Sequence, residues 1–409
     1  MATETQPLER KTRRAFIWTS VLKSPLFTLQ AILAFILHKE LHATPFQLAL
    51  FFALKPAVSI FSVYWSALIH KRPDRLKANV ILAGLIAYFP FFLFPVIKSS
   101  WLVITAWGLF WMMHRGIIPA WMEILKRNIP PGARQRTFSY GTSLSWIMMA
   151  ILPIFFGRWM DIDADAWRIL FPIMAFLALG GMIFEWRIPI AHNPKEEARE
   201  PVSSKETLLR PWKNALHLFK TRPDFMRYQM GFMLGGGALM IMHPALPGYF
   251  CDTLKLSYVE LSIALAICKG VGYALTSRVW ASWMDKLNIY RFSSIVTILA
   301  GLFPIALMAA RIEIAWVYIA YLAYGVMQAG SEMSWHMSGP IFSKDEDSSS
   351  YSSVNVVTVG LRGLFAPFLG ASLCGFFSAS TVLLLGGVLC ALASFQLGHA
   401  SRRSQLTAD

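Results

Sequence analysis

Charge is what this chain has least of. Only 15% of its 409 residues are Asp, Glu, Lys or Arg, where a soluble domain of this size carries roughly 25%. Acids are the scarcer sign, 23 against 38 Lys and Arg, which leaves a net charge of +15. With 56% hydrophobic residues and a mean hydropathy of +0.49, the chain is too apolar for a water-soluble domain. Cysteine is nearly absent too. Cys251, Cys268, Cys374 and Cys390 lie within or at the ends of apolar segments, without metal-type spacing, so neither a disulfide framework nor a metal centre is expected. No Gly-Lys dipeptide occurs, which excludes a Walker phosphate loop and ATP hydrolysis through one. His-Glu-x-x-His and Gly-x-Ser-x-Gly are missing as well, so the zinc protease and serine hydrolase chemistries fall away. The sequence points to no enzyme and no cofactor.

What is present is a series of long apolar runs. A membrane-spanning helix needs about 20 mostly apolar residues. Twelve segments qualify, near 15–37, 45–69, 78–97, 101–124, 136–158, 167–189, 226–250, 257–282, 291–310, 314–338, 352–376 and 379–400. They are continuously apolar rather than alternating, which favours helices over a barrel. The basic stretch before the first run resembles the start of a signal peptide. The run is too long for one and no small-x-small site follows, so it reads as the first span.

The excess of positive charge would suit a nucleic-acid partner; its distribution excludes that. With the amino terminus placed in the cytoplasm, 26 of the 38 Lys and Arg fall on the inner side and 6 on the outer, the other 6 lying within spans. That is the positive-inside bias of a multi-pass membrane protein with both termini cytoplasmic. A bacterial inner membrane or another plasma membrane is the expected location.

The runs also repeat. Trp65 and Trp280, Lys71 and Lys286, and Trp101 and Trp316 are each 215 apart. Phe89-Pro90 and Phe303-Pro304, Trp121 and Trp335, and Pro153 and Pro367 are each 214 apart. The expected organisation is a cytoplasmic segment (1–14), a first six-helix bundle (15–190), a cytoplasmic connector (191–224), a second six-helix bundle (225–400) and a tail (401–409). The connector reads as a mobile strap, partly an amphipathic surface helix around Pro211 to Phe219. Six spans return the chain to its starting side, so the halves share one orientation, related by an axis along the membrane normal. The fold class is all-α, a twelve-helix membrane protein with pseudo-two-fold symmetry.

In this layout the chain resembles the major facilitator superfamily. That family's loop motif between spans two and three reads Gly-x3-Asp-Arg/Lys-x-Gly-x-Arg/Lys-Arg/Lys, and it recurs between spans eight and nine. Here Asp285, Lys286 and Arg291 match in the second half, with Ala281 and Asn288 in place of the glycines. In the first half Lys71 and Arg75 are kept, and His70 stands where the aspartate belongs. The resemblance implies a secondary active transporter working by alternating access, with these loop residues as gating latches. A plainer reading makes them basic turn residues that hold topology.

Charges inside the spans are the candidate substrate groups, because a mid-bilayer ion costs roughly 2.5–3.5 kcal/mol unless partnered or hydrated. Lys55 and Lys269 fall near the midplane, 214 apart, and Arg115, Arg362 and Lys23 also lie well inside. Arg278 is placed to snorkel. Glu332 is the one deep acid, since Glu123 and Glu185 approach the cytoplasmic ends of their spans. Five deep cations facing one anion predict an interior that attracts anions. Lys55, Lys269, Arg115, Arg362 and Lys23 are therefore the expected substrate-binding set. Glu332 and His336, four apart on one helical face, form the candidate proton-coupling pair or a polar pair joining two helices. His114 and His243 are weaker candidates. Gly235-Gly236-Gly237, with Pro244, Pro247 and Gly248 beyond, weakens span seven, either for gating or for close packing; Pro25 interrupts the corresponding span one. Trp111, Trp121, Trp146 and Trp335 are possible pathway linings, whereas Trp101 and Trp316 read as interface anchors.

The leading expectation is transport of a small organic anion, a phosphate ester or a carboxylate, by anion exchange or proton symport. The alternatives are a proton-coupled exporter of amphipathic compounds and a transport-inactive receptor or assembly protein on the same scaffold. The expected partners are the solute, the lipid bilayer and a proton or counter-anion, and the chain is expected to act as a monomer.

Overall fold

The fold is known from a computed structural model that describes residues 2–61, 64–65, 75–189, 204–343 and 348–406. Among these, every regular element is helical. The order is α1 (Ala2–Lys39), α2 (Pro45–Ser59), α3 (Leu76–Tyr88, extended by a 3-10 turn, Phe89–Leu93), α4 (Ser100–Asn128), α5 (Pro131–Ile162) and α6 (Trp167–Trp186). Then follow α7 (Ser204–Thr221), α8 (Pro223–Met242), α9 (Ala245–Gly248, continued by a π turn, Tyr249–Thr253), α10 (Tyr258–Ser262, continued by a π segment, Ile263–Cys268) and α11 (Lys269–Met284). The chain closes with α12 (Ile289–Ala309), α13 (Ala315–Ser343), α14 (Ser348–Phe376) and α15 (Ala379–Leu406).

Among the described residues nine helices are long and apolar enough to cross a membrane, or ten if α8 and Ala245–Thr253, bent by 42°, form one span. The two other expected spans are helical as well. One is α2, with 15 residues, and the other is α13, whose 29 residues include Gln328, Glu332 and His336. Helices satisfy their backbone groups internally, which hydrocarbon demands. They also present large apolar side chains outward. Phe176, Leu275, Phe365 and Phe395 are all exposed, a surface suited to lipid and costly in water. This is an all-α integral membrane protein that crosses the bilayer many times.

The chain divides into two compact units, Met1–His42 with Val58–Thr207, and Ala43–Ala57 with Leu208–Asp409. Most of α2 therefore groups with the second unit, although the sequence repeat puts it in the first half. The contacts supply the reason. Phe46 packs at 5.6 Å on Phe368, Phe52 at 5.4 Å on His243, and Pro56 fills the space over Gly363. The core of the first unit is aromatic. Tyr88, Phe91 and Phe94 meet Phe110 of α4 and Trp167 and Phe171 of α6, with ring centroids 5.3–6.1 Å apart. The second unit buries Phe225 and Tyr228 of α8, Tyr290 of α12, Phe342 of α13, Tyr351 and Val354 of α14, and Leu397 of α15.

The connector contains the expected helix. Residues 190–203 lie outside the described set, but the expected amphipathic piece is a full helix, α7. It packs Ala215, Leu218 and Phe219 onto the second unit's core, which makes this part of the strap a docked element.

The internal repeat is visible as geometry within each unit. Trp65 lies over Gly116 in the first and Trp280 over Gly330 in the second, so both partners of the contact recur. The loops that follow α1 and the π turn Tyr249–Thr253 also match. Each passes through the left-handed region at a non-glycine residue, His42 (φ 47°) and Lys255 (φ 53°). Trp101 and Trp316 begin α4 and α13 and are exposed, as interface anchors would be.

Candidate functional site

The cations of the second unit converge on one histidine. His243 lies at the bend between α8 and α9, where Pro244 interrupts the backbone ladder. It sits in the field of Lys55 of α2, Lys269 of α11 and Arg362 of α14. The Phe52 ring covers it. Three of the five expected substrate cations are thus brought together with His243, which the sequence marked only as a weak candidate.

Each cation is placed by a local device. Lys269 opens α11 directly after the π segment Ile263–Cys268, and such widened turns are frequent at functional sites. Gly325 of α13 meets the Lys269 carbonyl, and Gly272 of α11 meets the Leu322 carbonyl. No residue with a Cβ fits at either position, so the two helices run in close contact. Arg362 donates from Nη1 to the Phe232 carbonyl (2.8 Å) and lies 5.4 Å from the centre of the Phe232 ring. Its Nε is buried with no hydrogen-bond partner. A Cβ on Gly236 would collide with the guanidinium. The glycine run therefore does not break α8, which continues to Met242; Gly236 makes room for Arg362, and the bend comes after the helix.

Glu332 faces this set from α13. Tyr273, one turn beyond Lys269, donates to Oε2 at 2.6 Å, and Gln328 donates to Oε1 at 3.2 Å. Lys269 and Glu332 also attract each other. The bonds of Glu332 go to Tyr273 and Gln328 rather than to His336, which is exposed one turn on. Beside Arg362 runs a buried polar network. Gln229 of α8 bonds Asn355 of α14, Asn355 Nδ2 donates to Ser338 Oγ (2.7 Å), and Thr358 Oγ1 donates to the Asn355 carbonyl (3.1 Å). Gln229, Asn355, Tyr273 and Gln328 were not singled out in the sequence. Their spacing is the only signal it offers. Asn355, Thr358 and Arg362 share a face of α14, as do Gln229 and Phe232 on α8.

The first unit holds the other two cations. Lys23 of α1 is ion-paired with Glu185 of α6 (2.6 Å), and both side chains are buried. Trp121 of α4 donates to the same Glu185 oxygen at 2.9 Å. Glu185 is the penultimate residue of α6, at the span end where the sequence places it, yet it is buried, and one of the five cations is neutralised internally. Arg115 of α4 lies 5.9 Å from the Trp111 ring and keeps a buried Nε without a hydrogen-bond partner. His114 packs edge-on to Phe27 at 4.9 Å.

Of the loop motifs, His70 and Lys71 lie outside the described residues. Arg75 is exposed at the start of α3. Asp285 and Lys286 are exposed just beyond α11. Asn288, where the resembled motif has glycine, caps α12 by accepting from the Arg291 amide (2.8 Å) and donates to Ser401 Oγ (2.8 Å). Its replacement of glycine thus builds a cap.

The Major Facilitator Superfamily model matches residues 16–339. This chain belongs to the major facilitator superfamily. The assignment makes it a transporter and not an enzyme. Solved structures agree at the level of fold. A point variant of the nucleoside transporter NupG superposes with a TM-score of 0.75 at 12% identity, over 95% of this chain and 99% of that one. A POT family transporter in complex with 5-aminolevulinic acid gives 0.73 at 12% identity, over 96% of both chains. A bacterial homologue of the human lysosomal transporter Spinster gives 0.66 at 14% identity, over 97% of both. No curated protein matches this chain by sequence.

Proposed function

We propose that this major facilitator protein is a secondary active transporter of a small organic anion, a phosphate ester or a carboxylate. The observation that carries the reading is the grouping of Lys55, Lys269 and Arg362 about His243. Charges of one sign in a low-dielectric interior raise the local concentration of the opposite ion. Arg362 adds a planar donor set suited to carboxylate or phosphate, held by the Phe232 carbonyl at one nitrogen. Glu332, tethered by Tyr273 and Gln328, stands beside Lys269 as the acid for proton symport; anion exchange is the other mode consistent with the cluster. Lys23 and Arg115 retain a place in the proposal as cations of the first unit, Lys23 only when released from Glu185. Alternating access, cytoplasmic termini, a bacterial inner or other plasma membrane and a monomeric state belong to the same reading. The bias of basic residues toward one side supports the orientation.

The test is a thermal-shift screen of the purified protein against organic phosphates, nucleotides, carboxylates and lipophilic cations. A ligand at a hundredfold excess over Kd stabilises the state it binds by about 2.7 kcal/mol. Anions are expected to raise the melting temperature, and Lys55→Ala and Lys269→Ala each to remove most of that rise while folding normally. A response to lipophilic cations alone would reject the anion reading and favour an exporter of amphipathic compounds. Full anion response in the Lys55→Ala/Lys269→Ala double variant would reject the site.

A further inference from the structure

The buried ion pair of the first unit has an asymmetry that the substrate cluster does not use. Glu185 Oε1 receives both Lys23 Nζ (2.6 Å) and Trp121 Nε1 (2.9 Å), whereas Oε2 is buried with no hydrogen-bond partner. A carboxylate oxygen left bare in an apolar interior is costly, because it has lost water and gained nothing. Glu185 also lines a crevice, with Lys77, Val80, Trp121, Ile124 and Ile188. Lys77 is the second residue of α3 and Ile188 follows the end of α6, so the crevice sits where these helices end. It has room for about one water molecule. That is too small for any organic solute and large enough to deliver a proton.

We propose that Glu185 is a proton-binding site of the transport cycle, charged at Oε2 through this crevice. The reading rests on the transporter assignment for its purpose. Among the described residues, Glu185 is faced by groups from neighbouring helices. Lys23 comes from α1, Tyr88 and Lys77 from α3, and the Trp121 indole from α4, with Lys23 Nζ 5.8 Å from the centre of the Tyr88 ring. Glu123, two residues beyond Trp121, is held by Arg127 at 3.1 Å. In the step itself, a hydronium ion reaching the crevice breaks one of its O–H bonds, its proton forms an O–H bond at Oε2, a water molecule is left behind, and the pair passes from neutral to a single positive charge. Lys23 then lacks a counter-charge in an apolar setting. It then recruits an anion or parts from Glu185, and parting would loosen the tie between α1 and α6. Glu332 differs in this respect, since both of its oxygens already accept hydrogen bonds.

The experiment reads the proton directly and needs no substrate. Infrared difference spectra of the full chain in phosphatidylethanolamine–phosphatidylglycerol vesicles are recorded as the pH is lowered. Wild type and Glu332→Gln are expected to develop, besides the stretch that the other carboxyls give on acidification, one protonated-carboxyl component that Glu185→Gln lacks. Lys23→Met is expected to shift its appearance about one pH unit or more upward, the direction that follows from losing a neighbouring cation. If Glu185→Gln does not fold, Lys23→Met/Glu185→Gln, neutral at both positions, replaces it. An unchanged band in the Glu185 variant, or no movement in Lys23→Met, overturns the site. Either result is independent of whether anions stabilise the protein, so this proposal and the anion reading fail separately.

Discussion

At the scale of single residues, the site turns on how an ionised side chain is tolerated within a membrane span. Lys23 answers by pairing with Glu185, Arg362 by donating to a backbone carbonyl and lying against Phe232, and Lys269 by facing Glu332. Lys55 and Lys269 were legible as a pair because the 214-residue repeat superimposes them. Gln229, Asn355, Tyr273 and Gln328 were not, since a neutral polar residue on an apolar helix leaves no mark on charge or periodicity. Gly236 offers the most selective test. A Cβ there meets the Arg362 guanidinium, so Gly236→Ala is expected to displace Arg362 while α8 stays helical, alanine being the better helix former. Anion affinity measured by thermal shift should fall by about tenfold or more, which is about 1.4 kcal/mol. Gly237→Ala, whose Cβ meets only ordinary contacts at 3.6 Å, should leave binding close to wild type. Equal affinity in both variants would remove Arg362 from the site.

At the scale of elements, the junction of α7 and α8 is tied by one side chain. Arg222 donates to both Asp224 oxygens (3.2 and 3.0 Å), to Tyr351 Oη (2.6 Å) and to the Phe342 carbonyl (2.7 Å). Tyr290 Oη adds a bond to the Asp224 carbonyl (2.6 Å). The starts of α8 and α14 and the end of α13 are thereby joined beneath the docked α7. Hydrogen bonds to a charged group contribute about 1.5–3 kcal/mol. Arg222→Gln is expected to cost about that much and to lower the melting temperature in detergent, without changing anion affinity. A variant as stable as wild type would show the junction to be held by its apolar contacts alone. The sequence showed this helix only as an amphipathic stretch, because the aromatic residues that receive it, Phe225, Phe342 and Tyr351, come from distant positions.

At the scale of the molecule, the charge distribution makes a prediction of its own. Epitope tags at either terminus are expected to be reached by antibody or protease only after the membrane is opened, as the 26-to-6 bias requires. A tag accessible from outside on intact cells would reverse the assigned orientation. The repeat also sets an expectation across the units. Trp65→Ala and Trp280→Ala remove the same contact, over Gly116 and Gly330, and should both lower the melting temperature, Trp280→Ala the more so because its side chain is almost fully buried and donates to the Val326 carbonyl. Removing a buried aromatic costs about 3–5 kcal/mol.

The amino-acid sequence alone determined that this protein lives in a bilayer, that its spans are helical and twice repeated, and that it belongs with carriers rather than enzymes. Those properties are written in local apolar length, loop charge and spacing, which need no knowledge of neighbours. Only the tertiary structure decided which intramembrane charges meet. Lys23 and Glu185 are 162 residues apart, and nothing along the chain distinguishes their pairing from that of Lys23 with Glu332. The gathering of Lys55, Lys269 and Arg362 at His243, and the role of Gly236 as space for a guanidinium, were settled in the same way. A charge in hydrocarbon is governed by what lies within a few ångströms, and that distance is set by helix packing, not by position in the sequence.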